Sequence, residues 1–312
     1  MNKIKKLLSR HFDFVGFVPM NTYKDALSKH HFKQDLRSVD TSFYKTIAVV
    51  GLAYPKEPVP FKGKGYGLLS RYSYGTDYHK VFKERFEKIK EVYPDFYCSV
   101  DSEEINERLA ASLTYEGFIG KNQAFIHKEF GPYVYLGSVL LPEVITPIQL
   151  EVDSCKDCNK CVLACPTGAL DNGFEINLCL SHITQAKEPL SDFHIDHIKK
   201  MVYGCDVCYQ VCPKTHTDLI PKHNVFMPTG IENVNLIELL TMSNKDYMRK
   251  YKDNASSWRG ASVLKKNALS ILYHQNVQEA IPFINKSIEQ IEADWYQKSA
   301  LKILEKFKER LT

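Results

Sequence analysis

Two runs of cysteine constrain this chain more than any other feature. The first, Cys155-Lys-Asp-Cys158-Asn-Lys-Cys161-Val-Leu-Ala-Cys165-Pro166, has the form C-x2-C-x2-C-x3-C-P. The second, Cys205-Asp-Val-Cys208-Tyr-Gln-Val-Cys212-Pro213, repeats the end of that pattern, and Cys179 stands between the two. Thiolates at these spacings lie on a tight loop that wraps one face of a cuboidal iron–sulfur cluster, while the last cysteine of a run reaches a second cluster. Eight thiolates therefore suit two 4Fe-4S clusters. By the crossing rule Cys155, Cys158 and Cys161 take Cys212 as fourth ligand, and Cys165 joins Cys205, Cys208 and Cys179. Zinc sites also use C-x2-C pairs, but they need neither a third cysteine at x2 nor a closing Cys-Pro. Cys98, outside the runs, reads as a buried small residue. Two such clusters make a wire for single electrons, so the electrons' destination lies elsewhere in the chain.

Hydrophobic residues at 44% and charged residues at 25% are ordinary globular values, and 312 residues suffice for a sizeable core. The longest apolar runs, such as 47–54, are too short to span a bilayer, so no membrane partner is expected. The basic start MNKIKKLLSRHFDF has no small-residue cleavage site after it, which makes a cytoplasmic protein the expectation. In a reducing cytosol clustered cysteines are metal ligands or catalytic thiols before they are disulfides. The pattern along the chain is α+β. Strands are expected over 14–18, 46–53 and 133–140, with helices over 78–92 and 103–115. An N-terminal α/β domain over 1–152, a cluster-bearing insert over 153–225 and a helical, HEAT-like segment over 226–312 follow.

No dinucleotide fingerprint is present. Gly117-Phe-Ile-Gly120 and Gly63-Lys-Gly65-Tyr-Gly67 lack the strand–glycine–helix setting that such a site requires. The net charge of +4 implies no nucleic-acid partner in itself, but its distribution does more. Between Lys245 and Lys266 seven Lys or Arg face two acids, with Tyr247, Tyr251 and Trp258 interleaved. A basic face with aromatics suits a phosphate backbone and exposed bases, and the plainer reading is a solvated helical face.

At this point the residues carry a resemblance to the epoxyqueuosine reductases, cobalamin- and iron–sulfur-dependent enzymes of tRNA queuosine biosynthesis. It rests on Arg71-Tyr-Ser-Tyr-Gly-Thr-Asp-Tyr-His79, Val100-Asp101-Ser102, Gly117-Phe-Ile-Gly-Lys-Asn122, Leu136-Gly137, the paired cysteine runs, Trp258-Arg259 and Lys266-Asn267-Ala268. The match spans about residues 12–275. The cysteine runs alone are common to many ferredoxin-like proteins, so their combination with YGTDYH and GFIGKN is what is specific.

The resemblance implies a short member of the family, with cobalamin bound between the N-terminal domain and a ferredoxin-like insert. It also implies tRNA carrying epoxyqueuosine in its anticodon loop as substrate, a flavodoxin or ferredoxin as electron donor, and a monomer. Asp101 matches the family's general acid, and its pKa would have to rise for that work. Read locally, Asp101 with Glu104 is a capping box at the start of the 103–115 helix. The resemblance further assigns Arg71, Tyr72, Ser73, Tyr74, Asp77, Tyr78 and His79 to cobalamin contact, with Lys121, Asn122 and Ser181. For Lys121 and Asn122 the plainer reading is a helix C-cap with a solvated lysine. Three departures stand out: Asp101-Ser-Glu-Glu104, Cys212-Pro-Lys214-Thr215 and Ser181-His-Ile-Thr-Gln185 replace the family's D-T-G-P, C-P-W-N and S-Y-L-T-I-E. The chain also ends earlier than longer members, so the tRNA grip is expected on a smaller surface that includes the Lys245 to Lys266 stretch. A reductive-dehalogenase-like corrinoid enzyme and a non-enzymatic two-cluster electron carrier are the rival readings.

Overall fold

The computed structural model describes residues 3–29, 39–147, 149–215 and 222–310. In chain order the elements begin α1 (Lys3–His11), β1 (Phe14–Pro19), α2 (Met20–Lys29), β2 (Thr46–Ala53), β3 (Tyr66–Leu69) and α3 (Tyr78–Lys90). Next come β4 (Tyr97–Ser99), α4 (Glu107–Ser112), β5 (Gly117–Ile119), β6 (Phe125–His127) and β7 (Val134–Leu141). The cysteine region carries α5 (Lys160–Ala164), α6 (Leu180–Ile183), α7 (Asp192–His197), β8 (Met201–Tyr203) and α8 (Val207–Gln210). The remainder is β9 (Asn233–Asn235), α9 (Leu236–Thr241), α10 (Asn244–Tyr251), α11 (Ala261–His274), α12 (Ile281–Gln290) and α13 (Asp294–Glu309). Among the described residues no helix is long and apolar enough to cross a membrane.

The chain divides into two compact units, each drawn from three segments. The first comprises Met1–Pro55, Tyr78–Val162 and Cys208–Asn224. Its sheet has the order β1-β2-β7-β4, antiparallel throughout, with Thr46 opposite Leu141 and Ala53 opposite Val134. Every residue of β2 is buried, as the unbroken apolar run Thr46-Ile-Ala-Val-Val-Gly-Leu-Ala53 requires of a central strand. The four apolar positions of α3, Val81, Phe82, Phe86 and Ile89, are all buried. A Cβ on Gly137 of β7 would lie 2.5 Å from the Phe82 ring, which explains the Leu136-Gly137 pair: the glycine lets aromatic side chains of α3 reach the strand.

The second unit comprises Lys56–Asp77, Leu163–Val207 and Val225–Thr312. Its small sheet has the order β8-β3-β9, with β3 parallel to β8 and antiparallel to β9. Leu236, Leu239 and Leu240 of α9, Leu264, Leu269 and Leu272 of α11, and Ile303 and Phe307 of α13 share one core. Helices α9 to α13 follow the short strand β9. Gly204, with φ 73°, turns the chain into the second cysteine run, and a side chain there would strike the Ser70 hydroxyl at 2.1 Å.

Candidate active site

The thiols fall into sets. In the first unit Cys155 and Cys158 share a tight turn, the Cys158 amide donating to the Cys155 carbonyl at 2.9 Å, and Cys161 sits in α5. Burial pushes the Cys212 thiol up, and the nearby thiols of Cys155, Cys161 and Cys158 add to it. Burial likewise raises Cys161, with Cys155 and Cys158 contributing. Cys212 therefore lies near the thiols of the first run within this unit. In the second unit burial pushes Cys205 to about 12, with Asp206, Cys179 and Cys165 adding. Cys165 and Cys179 thus lie near Cys205 in the second unit.

The donor chemistry fits clusters better than single ions. Among the described residues no group of three or more His, Cys, Asp or Glu is arranged to hold one metal ion. Zinc needs four donors converging at about 2.0–2.3 Å, whereas a cuboidal cluster spreads its cysteines around its corners. The Lys121 amide donates to Cys155 Sγ at 3.4 Å, the kind of hydrogen bond that tunes a cluster sulfur. Cys98, on β4, is partly buried and its thiol is pushed to about 12 by burial, in keeping with an inert residue.

Asp101 is not a helix cap. The helix expected over 103–115 begins at Glu107, and its cap is Asn106, whose Oδ1 accepts from the Leu109 amide at 3.0 Å. Asp101 precedes that cap in a left-handed turn with φ 48°, a conformation rare outside glycine. Its carboxylate receives the Tyr78 hydroxyl and lies 3.3 Å from His79 Nε2. Tyr78 and His79 open α3, so the helix start expected at residue 78 is what aims both side chains. Burial raises the Asp101 carboxyl, but the hydrogen bonds from His79 and Tyr78 outweigh it and hold the group below the ordinary range. Even so, 56% of the Asp101 side chain is exposed.

Two groups beside this corner were invisible to sequence reasoning. The Tyr78 ring stacks on Tyr135 with centroids 4.5 Å apart and planes at 8°, and the Tyr135 ring centre lies 4.4 Å from that of Tyr54, which joins α3, β7 and the residue after β2 in one aromatic cluster. Alternation along β7 was the only available signal. The other is Glu107, whose carboxyl burial pushes up to about 7, with the charge of Asp101 adding.

The residues before Tyr78 are engaged differently. Arg71 Nε lies 2.7 Å from Asp206 Oδ2 with both side chains buried, and Nη1 donates to the Lys56 carbonyl. Ser73 donates to the Ser70 carbonyl at 2.8 Å, and the buried Tyr74 hydroxyl accepts from the Val59 amide at 3.3 Å. The Asp77 amide donates to the Asp253 carbonyl at 2.6 Å. Tyr72 and Ser181, both expected at the cofactor, do come together: their hydroxyls are 3.5 Å apart. Gln185 Nε2 donates to Tyr72 at 3.1 Å, Tyr203 donates to Gln185 Oε1 at 3.2 Å, and Trp258 Nε1 donates to Tyr203 at 2.7 Å. The departure at Gln185 is thus built into a closed network.

Lys121 and Asn122 form the tip of the β5–β6 hairpin, not a helix C-cap. Lys121 Nζ donates to Asn159 at 2.7 Å, while Asn122 Oδ1 accepts from Ala124 and its buried Nδ2 has no partner among the described residues. The basic stretch also divides. Tyr247 and Tyr251 are core residues, and Lys265 and Lys266 are buried with their ammonium groups on the Met242 and Ala186 carbonyls. Lys245, Arg249, Lys250 and Lys252 remain exposed, with Arg249 on Asp246 and Lys250 on Glu238. Trp258 is 59% exposed, and the Arg259 guanidinium stacks 3.7 Å from its ring centre.

Comparison with known proteins agrees with this layout. A family model described as a 4Fe-4S double cluster binding domain matches residues 154–215, which hold all eight cysteines of the proposed sets. A second, described as epoxyqueuosine reductase QueG, DUF1730, matches residues 41–102. The chain is 36% identical over 257 residues to the epoxyqueuosine reductase of Bacillus anthracis, covering 76% of this chain and 66% of that one. It therefore spans just under two thirds of that relative's length. It is 32% identical over 283 residues to the epoxyqueuosine reductase of Lactococcus garvieae, covering 85% of this chain and 79% of the relative. Its fold is similar to a crystal structure of epoxyqueuosine reductase with an epoxyqueuosine-modified tRNA stem loop, at TM-score 0.82 and 24% identity, over 98% of this chain and 97% of that one.

Proposed function

The chain belongs to the epoxyqueuosine reductase family, and on that premise we propose that it reduces the epoxide of epoxyqueuosine in tRNA to the alkene of queuosine. The reaction takes two electrons and two protons and releases the epoxide oxygen as water. The observation that carries the reading is the carboxylate of Asp101, exposed yet held by Tyr78 and His79 on a turn that serves no helix. A carboxyl so placed suits proton delivery to a departing oxygen. Tyr78 and His79 fix its orientation on a left-handed turn two residues beyond β4.

Eight cysteines serve as ligands in this reading: Cys155, Cys158, Cys161 and Cys212 in one set, Cys165, Cys179 and Cys205 in the other, with Cys208 completing the second by its spacing in sequence. They carry electrons from a donor of the flavodoxin or ferredoxin class. Cobalamin is the proposed acceptor. The stacked Tyr135, Tyr78 and His79 rings offer aromatic surface to a large macrocycle, and the Asn122 Nδ2, unpartnered among the described residues, is a donor of the kind that binds amide-rimmed ligands. When bound, cobalamin supplies a low-valent cobalt centre able to act on an epoxide carbon that no side chain can reduce. Tyr72 and Ser181 remain proposed cofactor contacts. Arg71, Ser73, Tyr74 and Asp77 would contribute by shaping the loop, since Arg71 Nε, the Ser73 and Tyr74 hydroxyls and the Asp77 amide already have partners in the protein. For tRNA the exposed Trp258, backed by Arg259, offers a stacking surface for a base, and Lys245, Arg249 and Lys252 offer charge for phosphates. A cytoplasmic monomer completes the reading.

The test is direct. Protein reconstituted anaerobically with iron and sulfide, then given cobalamin, a chemical reductant and epoxyqueuosine-bearing tRNA, converts the modified nucleoside to queuosine, read by mass analysis of digested tRNA. Iron uptake with no cobalamin affinity and no conversion would favour a simple electron carrier.

A further inference from the structure

Trp258 is an exposed ring on a firmly anchored base. It lies in the short 3-10 helix Ala255–Arg259, whose cap, the buried Asn254, accepts from the Ser256 amide at 2.9 Å and from the Ser256 hydroxyl at 2.7 Å. Asn254 Nδ2 donates in turn to the Ser73 and Gly75 carbonyls. Gly260, with φ 83°, ends the helix in a conformation that favours glycine. Ala255 and Ser256 are buried, and two residues further on Trp258 is 59% exposed. A single exposed apolar side chain is ordinary. What sets this one apart is that its ring is held from inside.

The indole N–H can only donate, and it donates to the Tyr203 hydroxyl at 2.7 Å. Tyr203 is a buried residue of β8. A phenol has one proton to give, so its direction matters. Two oxygens accept it, Gln185 Oε1 at 3.2 Å and the Ala255 carbonyl at 3.4 Å. The Gln185 amide has one workable orientation, because its Nε2 faces the Ser181 carbonyl at 2.9 Å, which is an acceptor only. Tyr203 therefore gives its proton inward and keeps its lone pairs for Trp258. Gln185 stands where the family's S-Y-L-T-I-E has isoleucine, so this polarity belongs to the present chain. The Arg259 guanidinium covers one face of the indole, 3.7 Å from its ring centre.

We propose that Tyr203 is a positioning residue for RNA: its hydroxyl presets the Trp258 ring to stack on one unpaired base. This rests on the reading of Trp258 as a stacking surface. A ring already fixed loses little rotamer freedom when the base arrives, so more of the stacking energy appears as affinity. The loop of an RNA hairpin is the partner that offers such a base, because paired bases hide their faces in the helix. Charge on the neighbouring lysines acts separately, through release of counterions.

The experiment measures filter binding of a radiolabelled, unmodified tRNA anticodon stem loop to the full-length, cluster-loaded protein. Tyr203→Phe, which keeps the ring and removes only the hydroxyl, should weaken binding about 2- to 10-fold, the cost of ordering one side chain on association. In a Trp258→Ala background the same change should do nothing, as a double-mutant cycle requires if the hydroxyl acts only through that ring. The dependence of affinity on salt should match the parent, because no phosphate contact is lost. In turnover assays KM for tRNA should rise with kcat unchanged. A hydroxyl needed merely for the fold would weaken binding equally in both backgrounds, and that result overturns the inference, as does an altered salt slope. A second measurement needs no RNA. In a Trp295→Phe background Trp258 is the remaining tryptophan, and its fluorescence anisotropy should fall in Tyr203→Phe. An unchanged anisotropy overturns the inference. If Trp258→Ala leaves RNA affinity intact, the RNA reading of this surface fails and the inference with it. A loss in Trp258→Ala with indifference to Tyr203→Phe overturns the inference alone.

Discussion

Arg71 and Tyr78 belong to one short motif, yet they sit in opposite physical circumstances. The Arg71 side chain is 4% exposed and bonded to an Asp206 that is 7% exposed, whereas Tyr78 and His79 hold an Asp101 whose side chain is 56% exposed. The first is an ion pair whose removal by halves is costly, since a single buried charge has nowhere to go. The second is a group kept near water, where its stability contribution is small and its chemistry is accessible. Residues 71–77 belong to the second unit and residues 78–79 to the first. The difference teaches that one motif performs two tasks: its front half shapes a loop and its back half orients a carboxylate.

Each half can be broken separately. Asp101→Asn should cost turnover by about 10²–10⁴-fold, the usual worth of a positioned acid, with the melting temperature unchanged. Turnover within a few-fold of the parent protein would remove Asp101 from the chemistry. Asp206→Ala should destabilise by about 3–5 kcal/mol, measured by urea unfolding, because it strands Arg71. A loss below about 1 kcal/mol would mean that the pair is not what holds that loop. Trp258→Ala should weaken tRNA binding by about 1–3 kcal/mol, the value of one base stacked on an aromatic ring, and leave cluster content intact. Equal affinity in a filter-binding titration at fixed salt would move the RNA surface elsewhere.

The smallest effect concerns pH. Asp101, with its folded pKa lowered, contributes stability present above its unfolded pKa and lost as pH falls through the folded value. Lys266 behaves in the opposite sense. Burial lowers its ammonium to about 8, so the unfolded chain binds the extra proton between about 8 and the ordinary 10.5, and stability rises with pH across that window. Urea midpoints followed from pH 7.5 to 10.5 should show this rise, and Lys266→Met should flatten it. An unchanged slope in Lys266→Met would assign the rise to another group.

Much of this architecture was legible before any coordinates. The strands over 14–18, 46–53 and 133–140 correspond to Phe14–Pro19, Thr46–Ala53 and Val134–Leu141, because half-buried and buried strands carry their periodicity in adjacent residues. The helix from residue 78 is equally plain in the burial of Val81, Phe82, Phe86 and Ile89. The nearness of Cys212 to the first run could be expected from spacing alone, since a cluster's geometry dictates which loop must supply its fourth corner. Asp101 was harder. Asp101 and Glu104 satisfy a capping pattern, but so does Asn106 a few residues on, and local sequence does not choose between competing caps. The basic stretch misled for a related reason. Lys265 and Lys266 end on the carbonyls of Met242 and Ala186, partners distant in sequence, and a charge run by its composition says nothing about which members the packing buries.

What the amino-acid order settled was therefore chemistry with a short reach: thiol spacing, strand and helix periodicity, and the family those motifs mark. What waited for the folded chain was every property set by neighbours far along it. Asp101 became an exposed, oriented carboxylate because α3 delivers Tyr78 and His79 to it, Arg71 became a buried ion because Asp206 meets it, and Glu107 acquired its near-neutral titration from the burial and the second charge around it. Solvation and electrostatic coupling act through space, and the distances that govern them exist only once the chain has closed on itself.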